Sequence, residues 1–150
     1  MERRARLSDP AHNGSRSKLP DRRRNTMETQ HRHPSGDRPS VAYRRWHCPS
    51  PTGRLPLVLI HGAASNLTRW SELVATTRLA EEHDLLRLDL RGHGESIDRG
   101  PVTLEIWADD IAGILAAEGI ARAVLVGHCL GASVAVAFAA RHPERSGGVI

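Results

Sequence analysis

A cysteine stands at the apex of the segment Val124-Leu125-Val126-Gly127-His128-Cys129-Leu130-Gly131-Ala132. An apolar run leads into it, an Ala-rich run leads away, and a glycine lies two positions to either side. This is the G-x-nucleophile-x-G pattern of a nucleophile elbow, with Cys in the place that Ser usually takes. The glycines have a steric reason. A strained strand-to-helix turn crowds its neighbours, so Gly127 and Gly131 must lack side chains. The strain lifts the apical side chain above the sheet. The backbone N–H of Leu130 then points to where an oxyanion would form during attack on a carbonyl. The positive end of the helix that follows favours an anionic sulfur. The chemistry expected here is attack by Cys129 on an acyl carbon.

Such a turn needs a strand before it and a helix after it, and both are legible. Ala123–Val126 predicts the strand, and Leu130–Arg141 predicts a helix stopped by His142-Pro143. Leu57-Val58-Leu59-Ile60, just before His61-Gly62, is a short continuous apolar run of the kind buried on both faces of a parallel sheet. Leu85-Leu86-Arg87-Leu88-Asp89 predicts another strand, ended by Arg91-Gly92-His93-Gly94. Val41–Trp46 roughly alternates and runs into Pro49-Ser50-Pro51-Thr52-Gly53, predicting an early strand and a turn. Leu67, Trp70, Leu73, Val74 and Thr77 fall at helical spacing, with Ser65 or Asn66 as N-cap. After Pro101, Thr103 caps a long helix whose apolar face is Leu104, Trp107, Ala108, Ile111, Ile114 and Leu115. Glu105 in its first turn suits the helix dipole. Gly148-Val149-Ile150 reads as the start of one more strand. The alternation of strands and helices predicts an α/β fold, with a doubly wound, mostly parallel sheet.

One domain at most fits in 150 residues. The first forty carry ten basic against five acidic side chains and almost no large apolar residue, whereas residues 41–150 carry eleven basic and twelve acidic. Residues 1–40 are therefore expected to be a disordered, basic, Arg-rich tail, with the domain in 41–150. A basic arm can attract nucleic acid or an anionic membrane. An extension with no selected partner, and Met27 as the true start, is the reading preferred here, so no specific nucleic acid is expected. No apolar run approaches the roughly 18 residues of a membrane span, and no signal-peptide core is present. Cys48 and Cys129 are too few and too far apart for a disulfide framework, which points to a reducing cytoplasm. No cluster with metal-ligand spacing and no phosphate-cradling glycine loop occurs, so neither a metal nor a cofactor is implied.

Three segments, in order, resemble the α/β-hydrolase fold: Leu57–Gly62 with Ala63, Asp89-Leu90-Arg91-Gly92-His93-Gly94-Glu95-Ser96, and Val126–Gly131. The resemblance covers residues 41–150 and is closest to the esterase, haloperoxidase and epoxide-hydrolase branch. It implies that Cys129 is the nucleophile and that the N–H groups of Ala63 and Leu130 hold the oxyanion. It implies that His61, Gly62, Gly127, His128 and Gly131 support the elbow and its facing loop. His61 is expected to hold that loop by hydrogen bonds. His128 is expected to be structural or to line the pocket, because adjacent residues on an elbow point apart. His93 and Asp89 are expected to order the glycine-rich loop. Asp109 and Asp110 are expected to face solvent or cap a neighbouring loop, and Trp70 and Trp107 to pack in the core.

Two departures qualify what the resemblance implies. Cys in place of Ser argues for acyl transfer through a thioester, on an ester, lactone or thioester, or for a member that has lost its chemistry. In this fold the order is nucleophile, acid, His. Only His142 follows Cys129, at a helix end expected on the wrong side of the sheet. The chain is thus expected to be the N-terminal part of such a fold, truncated after the elbow helix and inactive alone. Three readings follow. One is a Cys-dependent acyl hydrolase of small-molecule substrates. Another is a decayed, non-catalytic fragment that docks to a partner chain through an exposed sheet edge. The third is an acyltransferase.

Overall fold

The computed structural model describes residues 28–32, 40–50, 52–97 and 100–150. Its strands are β1 (Glu28–Arg32), β2 (Val41–Trp46), β3 (Leu57–Ile60), β4 (Leu85–Leu88), β5 (Ala123–Gly127) and β6 (Ser146–Val149). They form one sheet in the order β1-β2-β4-β3-β5-β6. Strands β4, β3, β5 and β6 run parallel, while β1 and β2 pair antiparallel at one side. All four residues of β3 and of β4 are buried, as central strands of a two-faced sheet are, with Arg87 of β4 the one charged residue among them.

The fold begins earlier than the expected boundary at residue 41. Glu28–Arg32 pairs with β2 in the register Glu28↔Arg45 to Arg32↔Val41, so this piece of the Arg-rich segment is a strand. The remainder of that segment, 1–27 and 33–39, lies outside the described residues.

Helix α3 (Leu104–Ala117) starts where Thr103 Oγ1 accepts from the Ile106 N–H, and it buries Trp107, Ala108, Ile111, Ile114 and Leu115. Helix α4 (Leu130–Arg141) buries Val134, Ala135 and Phe138. Both pack on the face of the sheet that presents Val41, Tyr43, Val58, Ile60, Leu86, Leu88 and Leu125. The opposite face, with Trp46, Leu57, Leu59, Leu85, Val124 and Val126, receives Trp70, Val74, Leu79 and Ala80. Tyr43 and Arg45 of β2 reach the Glu118 carboxylate at the end of α3, Arg45 at 2.7 Å, which ties the antiparallel side to that helix.

The single helix expected from Leu67 to Thr77 is instead three short pieces: a 3₁₀ turn at Leu67–Trp70, α1 (Ser71–Thr76) and α2 (Leu79–Glu82). Asn66 is the cap, accepting from the Thr68 N–H at 2.9 Å. The break follows from Thr76 and Thr77, whose hydroxyls bond back to the Glu72 and Leu73 carbonyls at 2.8 and 2.7 Å. Thr77 is extended, and Leu73 is exposed despite its helical phase. Strand β6 begins at Ser146, two residues before the expected start. Among the described residues no helix is long and apolar enough to cross a membrane.

Candidate functional site

Strand β5 lies beside β3 with Val126 opposite Leu59 and Gly127 opposite Ile60. The pairing extends one bond further, from the His128 N–H to the Ile60 carbonyl at 3.0 Å. The chain then turns into α4 within one residue. Cys129, at the N-cap position, has φ 54° and ψ −116°, a region sparsely populated by residues with a side chain. Helical bonding starts at once, from Gly131 N–H to the His128 carbonyl and from Ala132 N–H to the Cys129 carbonyl, both at 2.9 Å. Cys129 is a free, exposed thiol.

Backbone closes on both flanking glycines. A Cβ at Gly127 would sit 2.4 Å from the Ala132 nitrogen and the Gly131 carbonyl. One at Gly131 would sit 2.3 Å from the Ile60 carbonyl oxygen. Gly62 is pressed against the turn from the other strand: its Cβ would lie 2.9 Å from His128 Nδ1 and 3.2 Å from Cys129 Cβ. The loop after β3 therefore lies directly against the turn after β5. Ala64 in that loop has φ 50°. Among the described residues Ala64 and Cys129 are the non-glycine positions with positive φ, and both belong to this one junction. Ala63 is exposed and Leu130 half-buried at its edge.

The supports beneath are buried and polar. His61 has no solvent exposure. Its Nε2 accepts from the Leu90 N–H at 3.0 Å, which leaves Nδ1–H to donate to the Gly62 carbonyl at 2.7 Å. Burial is the main force holding this imidazole below the usual histidine range, with the positive influence of His93 adding and the Gly62 carbonyl opposing. His61 is thus a neutral strut between two loops. Asp89 is buried and accepts from the Leu67 N–H at 2.6 Å and the Glu95 N–H at 2.8 Å. Gly94, at φ 51°, leaves it room: a Cβ there would stand 2.1 Å from Asp89 Oδ2. Ser96 Oγ donates to the Asp89 carbonyl and accepts from the Ala42 N–H, each at 2.8 Å. His93 packs its ring between those of His61 and Trp107, with centroids 5.2 and 6.1 Å away. Trp107 lies in the core and donates to the Arg91 carbonyl at 3.0 Å. Trp70 packs in the smaller cluster on the opposite face.

Asp110 does not face solvent. It is 3% exposed and forms a two-pronged pair with Arg91, itself 4% exposed, which pins the glycine-rich loop to α3. A sequence signal existed: Asp110 lies three residues after Trp107 and four before Ile114, inside the apolar stripe of α3. Asp109 takes the outer side, held by Arg141 at 2.6 Å and His142 at 3.0 Å, and the Arg141 contact is the main reason its carboxyl stays below the usual range. His142 lies past the far end of α4 from Cys129, about 20 Å away at 1.5 Å per residue. It cannot reach the thiol. Sequence reasoning also missed Arg69, whose guanidinium donates to His128 Nε2 at 3.2 Å. No local pattern marks that contact, because it joins positions 59 residues apart.

The family model described as alpha/beta hydrolase fold matches residues 56–150. The chain is 34% identical over 93 residues to 2-hydroxymuconate semialdehyde hydrolase of Pseudomonas sp. (strain CF600), covering 60% of this chain and 33% of that protein. It is 39% identical over 95 residues to 2-(acetamidomethylene)succinate hydrolase of Mesorhizobium japonicum, covering 61% and 33%. A thermophilic esterase from Thermogutta terrifontis superposes with a TM-score of 0.68 at 28% identity, over 81% of this chain and 44% of the esterase. The chain thus spans about a third of the length of these curated relatives.

Proposed function

The chain belongs to the α/β-hydrolase fold family, and on that premise we propose that Cys129 is the nucleophile of an acyl hydrolase working through a thioester. The observation that carries this reading is the strained backbone of Cys129. A side chain held at φ 54° and ψ −116° costs about 1–3 kcal/mol, and folds keep such strain where geometry serves chemistry. In the proposed reaction the sulfur attacks the carbonyl carbon of a small-molecule ester, lactone or thioester. A C–S bond forms, and the N–H groups of Ala63 and Leu130 hold the oxyanion. The C–O or C–S bond to the leaving group then breaks, and the leaving group takes a proton. Water attacks the thioester, releasing the acid and restoring the thiol. The imidazole and carboxylate that activate the thiol and the water come, in this proposal, from outside the described residues. Both cysteines are free thiols, which fits a reducing, cytoplasmic setting.

Stopped-flow release of p-nitrophenol from p-nitrophenyl acetate tests the reading. In the full-length protein that supplies the imidazole and carboxylate, one equivalent should appear in a burst, and Cys129→Ala should abolish it; an undiminished burst in that variant would remove Cys129 from the mechanism. Added thiol or alcohol acceptors then separate hydrolysis from acyl transfer by the product formed. A non-catalytic, docking role has one supporting observation: β6 is an outer strand of the sheet, with Val149 and Ile150 exposed.

A further inference from the structure

We propose that Arg69 makes the site selective for acyl groups that carry a carboxylate. The inference rests on Cys129 being the nucleophile. Arg69 sits in the 3₁₀ turn after the His61–Ala64 loop, and the turn is well anchored. The Leu67 N–H is held by Asp89, Thr68 by the Asn66 cap, and the Arg69 N–H by the Asn66 carbonyl at 3.1 Å. Its exposed guanidinium leans on His128, the residue before Cys129. Arg can only donate, so His128 Nε2 accepts and Nδ1 carries the ring proton of the neutral form. Gly62 backs the same imidazole, so the cation is held at the rim of the junction that carries the thiol.

The partner chosen is informative. Arg45, Arg54, Arg78, Arg91 and Arg141 each meet an Asp or Glu, while Arg87 meets the Ser71 hydroxyl and Arg122 the Ser146 carbonyl. Arg69 meets a neutral imidazole, and among the described residues it has no carboxylate partner. An exposed Arg on a neutral ring contributes little to folding. Among the described residues its side chain bonds to the residue that precedes the nucleophile, which leaves the planar fork able to take a carboxylate with two parallel bonds. A dicarboxylic monoester or an acyl chain ending in a carboxylate has the complementary charge.

Alkylation of Cys129 tests this without requiring turnover. Iodoacetate and iodoacetamide react alike: the sulfur lone pair forms a C–S bond and iodide leaves. They differ in the negative charge. The ratio of their rates at Cys129, read by peptide mass mapping with Cys48 as internal reference, should fall about three- to tenfold in Arg69→Gln at low salt. Arg69→Lys should restore part of the ratio, and about 1 M salt should erase the preference in the parent chain. A ratio unchanged by Arg69→Gln, with Cys129 alkylated normally, would overturn the inference and leave the nucleophile intact. A Cys129 inert to both reagents while Cys48 reacts would overturn the nucleophile reading, and the selectivity with it.

Discussion

Cys129 is held in a conformation that glycine would adopt at no steric cost, and this makes stability and chemistry separable. Cys129→Gly should raise the unfolding free energy read in urea by about 1 kcal/mol once the added freedom of the unfolded chain is offset. The same change should abolish acylation. A drop in stability on this substitution would show that the backbone is not strained there. His61 is testable by pH. Its folded value lies below the ordinary 6.5, so between the two values the unfolded chain binds a proton that the folded chain does not. Its contribution to stability is complete above 6.5 and is lost as pH falls through that value toward the lowered one. The urea midpoint should therefore decline between about pH 7 and pH 5, and the decline should be shallower in His61→Gln. Equal slopes would remove His61 as the source. The position of Cys129 at a strand–helix turn was legible in the sequence, because glycine spacing encodes crowding directly, whereas the hydrogen bonds of His61 to Leu90 and Gly62 needed the fold. The buried face of Asp110 was encoded too, in its phase on α3, but a charged residue reads as surface until its partner Arg91 is seen.

Strands β3 and β5 carry the site, and α4 is aligned by their glycines. Gly131→Ala places a methyl against the Ile60 carbonyl, so it should cost about 3 kcal/mol in urea unfolding and displace the turn. A cost under about 1 kcal/mol would mean that α4 can slide without penalty. The Arg91–Asp110 pair locks the glycine-rich loop to α3. Asp110→Ala removes the two-pronged carboxylate from a buried guanidinium and should cost about 3–5 kcal/mol, while replacing both partners by apolar residues should recover most of it. No recovery in the double variant would show that the loop needs the charge pair itself. The strands and both long helices were readable from apolar runs, caps and period. The segment 67–82 was not, because its helical spacing of Leu67, Trp70, Leu73 and Val74 competes with threonine hydroxyls that capture the backbone carbonyls.

Across the molecule, a mostly parallel sheet brings two loops from the ends of adjacent strands into contact. That contact, Gly62 against His128 and Cys129, is where, among the described residues, strain, exposure and a free thiol coincide. The antiparallel β1 was invisible in sequence because Glu28–Arg32 has no apolar alternation and pairs through its backbone with β2. The Arg69–His128 contact was equally hidden, since only the assembled sheet brings those two loops together. The measurement that bears most directly on the account is the peptide mass map of the full-length protein quenched in acid after mixing with p-nitrophenyl acetate. An acetyl increment on the peptide bearing Cys129, removed by hydroxylamine and missing in Cys129→Ala, is the predicted result. An unmodified Cys129, or acetylation that persists at the same level in Cys129→Ala, would contradict it.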